Sequence, residues 1–566
     1  MSVKIGVYVC ECGPNIADKV DIDKILAEIS SLGEPPEKII ITKKHKLLCS
    51  NEGQDFLVDE IKKNELTHLV VAACSPRDHD ITFMNVCKKT NLNPYLYKII
   101  NIREHCAWII PDKDDATEKA IQYIRAGISR VTCQSPLVEK ELDSIPDVLV
   151  IGAGIAGIET SLSLASEKRK VYLVEKSSSL GGKVTKFEKI LPHQGTNLDV
   201  IQNKIQEVQE NENIEIFTET EVEKAIGFFG NFEVTLKNVH NDDQKNELKI
   251  GAIVVATGFN LFNPQKIPRY GYGKIEDIYT SLEIEEMNYK AGKILLKSGK
   301  PPKSAVLIHC VGREENGYCS RICCSYMFKI AQYLKEKISD IKVTEFYQDL
   351  CLPNKADQEY FNDTKNKGVN FIRFNDIAVN QTDKGKLIEY TGADGKKKEV
   401  SAEMVILAPT IEPADGSKEL AELLNISLDE TGFFQEIHQK LNPVATSIDG
   451  IFIVGSAQNP KDISDSIIDA QAVGGKILTQ LIPGEKLVPE VKVSEISEAF
   501  CTGCQTCLSV CSYGAIYFDE DRNISIVNEA ICRGCGNCVA SCPSGAAHSK
   551  HFTSPQLYQE VIESIR

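Results

Sequence analysis

The sequence contains no uninterrupted run of about 18 apolar residues, the length that a helix needs to cross a membrane. Its first residues also lack the long apolar stretch of a secretory signal peptide. Basic residues are not in excess, since 64 Lys and Arg stand against 80 Asp and Glu. The resulting net charge of −16 argues against a nucleic-acid partner, because phosphate backbones bind basic surfaces. We therefore expect a cytoplasmic protein without a membrane span.

Cysteine is missing between Cys133 and Cys310 and again between Cys351 and Cys501, although the 566-residue chain has 20 cysteines. In a secreted chain such a count would indicate disulfides. In a reducing compartment, cysteines gathered in tight groups favour metal ligation instead. The length allows three or four domains, so each group can belong to a domain of its own.

The C-terminal group repeats one cysteine spacing, C-x2-C-x2-C-x3-C, in the segments 501–511 and 532–542. In two-cluster ferredoxins the first three cysteines of each run bind one [4Fe–4S] cluster and the fourth binds the other. The predicted ligand sets are therefore Cys501, Cys504, Cys507 and Cys542 for one cluster, and Cys532, Cys535, Cys538 and Cys511 for the second. A pair of zinc sites is the alternative interpretation.

A glycine-rich turn, Gly152-Ala-Gly154-Ile-Ala-Gly157, follows an apolar segment at 147–151 that is predicted to be a buried strand. A helix is predicted from this turn to about residue 168, and a second strand at 170–175 ends in Glu175. The glycines allow the backbone to approach a pyrophosphate at the helix N-terminus, and the acid can bind ribose hydroxyls. The pattern predicts a dinucleotide site.

Three later segments resemble those of flavoproteins with two dinucleotide folds, such as thioredoxin reductase, and favour FAD. They are Gly181-Gly182-Lys183, the predicted strand end at 253–258, and the late strand at 451–455 with the turn that follows it. The motif and the resemblance together imply these cofactor-binding residues: Gly152, Gly154, Ala156, Gly157, Glu175, Lys176, Gly181, Gly182, Lys183, Ala256, Thr257, Gly258, Gly455, Ser456, Ala457, Asp462 and Ile463.

The second dinucleotide fold of such flavoproteins binds NAD(P)H, but no G-x-G-x-x-G is present at its position here. A strand predicted at 304–309 is followed instead by Cys310, Cys319, Cys323 and Cys324. We predict that these four cysteines bind a [4Fe–4S] cluster in place of the nicotinamide nucleotide. A set of buried thiols is the alternative, since adjacent cysteines are an uncommon ligand pattern.

The N-terminal region is predicted to alternate strands and helices, with strands at 3–9, 38–42, 68–73 and 96–101. Its seven cysteines are Cys10, Cys12, Cys49, Cys74, Cys87, Cys106 and Cys133. The first four lie at strand ends or in turns, where α/β sheets place their sites. Periodicity cannot select four ligands from seven, and ordinary buried cysteines are an alternative.

In their order along nearly the whole chain, these motifs resemble the A-subunit family of heterodisulfide reductase. The matching stretches are 9–13, 49–54, 72–77, 101–108, 152–157, 310–324, 455–463 and the ferredoxin run. The resemblance implies an α/β protein with an N-terminal iron–sulfur domain (1–142), a thioredoxin-reductase-like FAD domain (143–490) and a 2[4Fe–4S] ferredoxin domain (491–566). It places the second dinucleotide-like fold at about 300–400. It also implies Cys10, Cys12, Cys49 and Cys74 as ligands of an N-terminal cluster, with Cys106 as the substitute.

The chain departs from longer members of that family, which insert a further two-cluster ferredoxin module after the glycine pair of the flavin fold. Here residues 181–197 lead directly into a predicted helix and contain no cysteine. We therefore expect a short form that carries FAD and four [4Fe–4S] clusters.

The resemblance implies an oxidoreductase that transfers electrons among the ferredoxin domain, FAD, the cluster at 310–324 and the N-terminal cluster. Electron bifurcation or confurcation is a further expectation, with Lys461 as the catalytic residue near the flavin. A pyrophosphate-binding or surface lysine is the alternative interpretation of Lys461. Expected partners are B- and C-type subunits, an electron-input protein such as a hydrogenase or dehydrogenase component, ferredoxin, and a second copy of the chain. Removing 491–566 should leave a flavin core cut off from its single-electron partner. An NAD(P)H-dependent flavoprotein oxidoreductase and a non-catalytic redox scaffold are the alternatives.

Overall fold

The computed structural model describes residues 3–32, 38–189, 198–383 and 385–565. Two compact units are present. The first unit consists of Met1–Glu141 and Val488–Arg566, and the second unit consists of Leu142–Leu487. Within the described residues, no helix combines the length and the apolar character needed to cross a membrane.

The N-terminal part of the first unit contains a four-stranded parallel sheet. In sheet order its strands are Lys38–His45, Val3–Cys10, His68–Ala73 and Tyr97–Asn101. Its helices are Pro14–Ala17, Ile22–Ser30, Asn51–Asn64, Pro76–Lys89 and Lys113–Thr132, with a π-helical turn at Arg103–Ala107. The side chains of Val3–Cys10 alternate between two buried cores, as expected where helices cover both faces of a parallel sheet. The four strands predicted here are confirmed.

The C-terminal part of the first unit is built from two short antiparallel strand pairs. Ser494–Ile496 pairs with Ala547–Ser549, and Ile516–Asp519 pairs with Ile524–Val527. The helical segments are Glu498–Phe500, Thr506–Ser509, Asn537–Ser541 and Ser554–Ile565. The last of these packs along Lys113–Thr132. Buried Arg130 joins the two helical regions, since it pairs with Glu560 and donates to the carbonyl oxygen of His551 at 2.6 Å.

The second unit contains a five-stranded parallel sheet that carries the glycine-rich turn. In sheet order its strands are Ile451–Ile453, Ala252–Val255, Val148–Ile151, Val171–Val174 and Ile214–Phe217. The helices of this part are Ile155–Leu164, Leu198–Glu210, Ser417–Leu424 and Ile463–Gln480. A separate antiparallel sheet consists of Asn241–Ile250, Asn231–Asn238 and Thr220–Phe228.

A seven-stranded sheet is inserted between the strands Ala252–Val255 and Ile451–Ile453. In sheet order its strands are Ile278–Thr280, Met404–Pro409, Ser304–Val311, Lys342–Tyr347, Asn370–Thr382, Gly385–Gly392 and Lys397–Ala402. Its helices are Ser281–Ala291, Arg313–Asn316, Cys323–Lys337 and Lys355–Asn366. The strands Phe259–Leu261 and Ile411–Pro413 pair outside the sheet. Short helical turns occupy Gly182–Lys186, Pro264–Lys266, Pro268–Tyr270 and Gly455–Ala457.

The helix after the glycine-rich turn is shorter than predicted, because it ends at Leu164 rather than near residue 168. Ala165 is already extended, and Ser166 and Arg169 exchange two backbone hydrogen bonds across a tight turn. The buried Arg169 side chain fixes this turn by donating to the carbonyl oxygens of Pro146 and Leu481. Residues 190–197, which belong to the segment predicted to lack the ferredoxin insert, lie outside the described residues.

Candidate functional site

A cavity of about 540 Å³ lies in the second unit, beside the glycine-rich turn. The predicted cofactor residues and lysine that line it are Gly152, Gly154, Ala156, Glu175, Gly182, Lys183, Ala256, Thr257, Gly258, Ser456, Lys461, Asp462 and Ile463. The lining does not include Gly157, Lys176, Gly181, Gly455 or Ala457. The exposed Lys176 side chain instead pairs with Glu221 at 3.3 Å.

The walls of this cavity fit a dinucleotide. Gly154 caps the helix Ile155–Leu164 without a side-chain hydrogen bond, and no heavy atom lies within 4 Å of where its Cβ would be. The first helical amides can therefore meet a pyrophosphate. Glu175 accepts a hydrogen bond from the amide of Ala153 at 2.8 Å, which fixes its carboxylate beside the turn. The buried hydroxyl of Thr257 has no hydrogen-bond partner among the described residues and can serve a ligand.

Gly157 is required by packing rather than by contact with the cavity. A Cβ at this position would lie 1.9 Å from the carbonyl oxygen of Gly152. We expect Gly157→Ala to push the helix away from the turn, to lower the flavin content of the purified protein, and to destabilise it by about 1–3 kcal/mol. Flavin absorbance per chain and urea unfolding measure the two effects.

Gly475→Ala is the matched control for this substitution. Gly475 lies in the helix Ile463–Gln480, and its Cβ position has no heavy atom within 4 Å. Alanine there should leave the flavin content unchanged and stabilise the helix by about 0.5–1 kcal/mol. A Gly157→Ala protein with a full complement of flavin would contradict the assigned role of the turn.

Lys461, predicted from the resemblance, is held at the cavity wall by a hydrogen-bond network. Its Nζ lies 2.5 Å from both Asp469 Oδ2 and Gln458 Oε1. Asp469 also accepts from the amide of Gly455 at 2.9 Å. Asp462 caps the following helix by accepting from the amide of Asp465 at 2.7 Å. These hydrogen bonds therefore fix the orientation of the Lys461 side chain. Asp462 has a structural role in addition to lining the cavity.

The cavity lining also includes a buried ion pair, Glu285 and Lys329, that the sequence did not indicate. Lys329 Nζ lies 2.6 Å from Glu285 Oε1, and the two side chains are 6% and 5% exposed. Burial raises the pKa of the Glu285 carboxyl, and the Lys329 charge opposes that rise. Both residues occupy buried faces of helices. Lys329 stands in a mostly apolar buried stripe, which is the available sequence signal, whereas the buried face around Glu285 is itself polar.

The four cysteines predicted in the inserted fold are brought together. Cys310 is a buried residue near the end of the strand Ser304–Val311, and Cys323 and Cys324 begin the helix Cys323–Lys337. Hydrogen bonding from the Cys323 thiol lowers the pKa of both Cys319 and Cys324. Thiols that favour the ionised form and face one another have the chemistry that iron–sulfur ligation needs.

Two features beside this group were missed by sequence reasoning. The backbone amide of Cys351 donates a hydrogen bond to Cys324 Sγ at 3.5 Å, and the Cys351 thiol contacts the Cys319 thiol. His309 and Glu345 form a buried pair next to Cys324. The fold alone brings these residues to the group, so no local spacing could have revealed them.

The eight ferredoxin-type cysteines form the two crossed sets that the spacing predicts. One small cavity in the first unit is lined by Cys501, Cys504, Cys507 and Cys542, and another by Cys511, Cys532, Cys535 and Cys538. Backbone amides point at the sulfurs, with Ala515 donating to Cys511 at 3.3 Å and Ala547 to Cys542 at 3.5 Å. Such donors stabilise thiolates, so the arrangement fits two clusters.

The N-terminal cysteines are divided between the two faces of their sheet. Cys10, Cys12, Cys49 and Cys74 share one hydrophobic core region. Burial raises the pKa of Cys10, and the nearby thiols of Cys12 and Cys49 add to the rise. Burial likewise raises the pKa of Cys74 to about 11, and Arg103, whose Nη1 lies 3.7 Å from Cys12 Sγ, opposes it. These four residues are close enough to act as one ligand set.

Cys106, the predicted substitute, packs in the core on the opposite face. Burial raises the pKa of the Cys106 thiol to about 12, and the Lys119 charge opposes this rise. Cys87 is also fully buried, and Cys133 is exposed. Among the described residues, no three His, Cys, Asp or Glu side chains converge as they would on a single metal ion. Ligands of a [4Fe–4S] cube bind four different irons and need not converge in that way.

Two protein families match separate parts of the chain. Residues 146–474 match the pyridine nucleotide-disulphide oxidoreductase family, and residues 500–546 match the 4Fe-4S dicluster domain. The second iron-sulfur A subunit of CoB–CoM heterodisulfide reductase from Methanopyrus kandleri is 33% identical, with 100% of this chain and 99% of that protein covered. The chain belongs to the A-subunit family of heterodisulfide reductase. Another member, the A subunit of the H2:CoB–CoM heterodisulfide,ferredoxin reductase of Methanothermobacter marburgensis, is 31% identical, with 91% of each chain covered.

Membership of the heterodisulfide reductase A-subunit family confirms the predicted oxidoreductase class. The predicted α/β fold is also confirmed, with an FAD-binding flavoprotein core of the pyridine nucleotide-disulphide oxidoreductase type and a C-terminal dicluster ferredoxin domain. The alignment with the solved structure of thioredoxin reductase from Lactococcus lactis covers 59% of this chain and 99% of the reductase chain, at 17% identity and a TM-score of 0.43. The alignment with the Methanopyrus protein spans 652 positions, so at least 86 of them have no residue in this 566-residue chain.

Proposed function

We propose that this chain is the FAD- and iron–sulfur-containing electron-transfer subunit of a heterodisulfide-reductase-like complex, with four [4Fe–4S] clusters. One observation carries the proposal. The cavity beside the glycine-rich turn is also lined by Arg321, Ile322, Ser325 and Tyr326, which flank the cysteines of the inserted fold. The flavin site and the proposed cluster on Cys310, Cys319, Cys323 and Cys324 therefore share a wall, as direct electron exchange requires.

Each group of residues has a distinct part in this proposal. The amides after Gly154 hold the pyrophosphate and Glu175 holds the ribose. FAD, when bound, exchanges electrons in pairs with one partner and singly with iron–sulfur clusters. The cysteine sets named above hold the clusters, with Cys10, Cys12, Cys49 and Cys74 as the ligands in the N-terminal part of the first unit. The protein itself needs no nucleophile for this chemistry.

The proposed partners follow from the names of the related proteins and from the ferredoxin domain. Those names include CoB–CoM heterodisulfide and ferredoxin. By analogy, the partners of this chain are B- and C-type subunits that carry a disulfide or another acceptor, an electron-input protein, ferredoxin and a second copy of the chain. The process is electron bifurcation or confurcation, with Lys461 acting at the flavin from the position that Asp469 fixes.

Iron and flavin analysis of anaerobically purified protein tests the cofactor content. We expect about one FAD and roughly 16 Fe per chain, from four clusters of four irons. Fewer than about 10 Fe would contradict the four-cluster path. Rapid flavin reduction by NADH or NADPH in the isolated chain would support an NAD(P)H oxidoreductase instead, and flavin without any cluster signal in low-temperature EPR would support a redox scaffold.

A redox titration of the flavin tests bifurcation separately. Bifurcation requires that the flavin take up two electrons together, so its absorbance should change in a single two-electron step. Two well-separated one-electron steps would contradict bifurcation and leave only a simple electron-transfer role.

A further inference from the structure

His309 and Glu345 form a fully buried pair that the proposed electron path does not use. They lie on the adjacent parallel strands Ser304–Val311 and Lys342–Tyr347, and His309 Nε2 is 2.7 Å from Glu345 Oε2. Both side chains are 0% exposed. Burying two ionisable groups carries a large desolvation cost, and apolar residues of similar volume would stabilise the sheet at least as well. The pair therefore calls for a role other than stability.

The second ring nitrogen of His309, Nδ1, indicates that role. His309 Nδ1 is buried and has no hydrogen-bond partner among the described residues. Side chains alternate along a strand, so His309 faces the same core as Leu307, and that core also contains Cys324 and Phe328. Phe328 is one helical turn beyond Cys324, and its ring centroid lies 6.2 Å from that of His309. The Cys324 sulfur is therefore the candidate partner of Nδ1.

We propose that His309, oriented by Glu345, is a positioning residue that donates an N–H from Nδ1 to Cys324 Sγ and so raises the reduction potential of the cluster on Cys310, Cys319, Cys323 and Cys324. The inference rests on the cluster assigned in the proposed function. A metal-bound thiolate cannot donate a hydrogen bond, so Nδ1 must carry the hydrogen. Glu345 and Nε2 must then share a second proton.

This donor favours electron transfer toward the cluster. Reduction adds negative charge to a cluster, and hydrogen bonds to its sulfurs stabilise the reduced form. The effect is strengthened in a site without water, because the local dielectric constant is low. The cluster that shares a wall with the flavin cavity would therefore be a better electron acceptor than its cysteine ligands alone would make it.

Two substitutions of His309 distinguish the contributions of its two ring nitrogens. Asparagine places its amide nitrogen near the position of Nδ1, and glutamine places it near Nε2. Each is combined with Glu345→Gln, so that no buried carboxylate is left without a partner, and Glu345→Gln alone is the control. In EPR-monitored redox titrations of the full chain, we expect His309→Gln/Glu345→Gln to move one cluster signal to lower potential. His309→Asn/Glu345→Gln should remain close to the control, while the ferredoxin clusters serve as an unshifted reference.

Equal potentials in all three proteins, with unchanged iron content, would overturn the inference about His309. A wild-type chain that lacks about four of the expected irons would overturn the proposed cluster itself, so the two failures are distinguishable. If the variants lose iron, the wild-type protein labelled with ¹⁵N-histidine still decides the question. Pulsed EPR of its reduced clusters should show a ¹⁵N coupling, and the absence of that coupling would refute the hydrogen bond.

Discussion

Replacing Lys329 by methionine is expected to cost about 3–5 kcal/mol of local stability, because it leaves the Glu285 carboxylate buried without its partner. The two groups are 2.6 Å apart, and neither side chain is more than 6% exposed. Amide hydrogen exchange in the helices Ser281–Ala291 and Cys323–Lys337 measures this local free energy. The expected loss corresponds to exchange that is about 150- to 5,000-fold faster.

Two further variants show whether the unpaired charge is the cause. Glu285→Gln/Lys329→Met removes both charges at nearly constant volume and should recover most of the loss. Lys398→Met breaks the ion pair with Asp394, in which the two side chains are 47% and 45% exposed, and it should leave the exchange rates nearly unchanged because water screens an exposed pair. A Lys329→Met protein that exchanges no faster than Lys398→Met would refute the explanation.

The deficit of Lys329→Met should also depend on pH. Burial raises the pKa of the Glu285 carboxyl in the folded protein, and Lys329 opposes that rise. A carboxyl whose folded-state pKa is raised contributes stability that is present at low pH and is lost as the pH rises through the folded-state pKa. The variant should therefore be closest to the wild type below about pH 4.5, the ordinary pKa of the group, and fall further behind it as the pH rises.

Sequence patterns predicted those features whose residues lie within one short stretch of the chain. The strand, glycine-rich turn and helix around Gly152 lie within one stretch of chain, as do the duplicated runs that begin at Cys501 and Cys532. Lys329 and Glu285 meet only because two helices pack face to face, and Cys351 reaches Cys324 from a different loop. Neither contact has a fixed spacing, so a single sequence could not reveal them.

The N-terminal cysteines show the same limit of prediction from a single sequence. Their spacing did not distinguish Cys106 from Cys10, Cys12, Cys49 and Cys74. The distinction comes from the turn Arg103–Ala107, which packs Cys106 into the core on the other face of the sheet. Only the folded chain shows which cysteines share a face.

Loss of the two ferredoxin-type clusters is expected to abolish electron exchange with any single-electron partner that docks on them. Deleting 491–566 is a poor test of this prediction, because the helix Ser554–Ile565 packs on Lys113–Thr132. The deletion would also leave Arg130, which is 3% exposed, without Glu560 and the His551 carbonyl. We therefore expect the deletion to destabilise the N-terminal part of the first unit and to reduce its iron content as well.

Cys504→Ser/Cys535→Ser is the sharper experiment, since each predicted cluster loses one exposed ligand and the packing around Arg130 is kept. This variant should retain FAD and about 8 Fe, from the two remaining clusters. In stopped-flow measurements, reduced ferredoxin should then no longer reduce its flavin. Cys133→Ser removes an exposed cysteine of the same unit that belongs to no predicted ligand set, and it should behave as the wild type. If the double variant were reduced as fast as Cys133→Ser, electrons would have to enter this chain elsewhere.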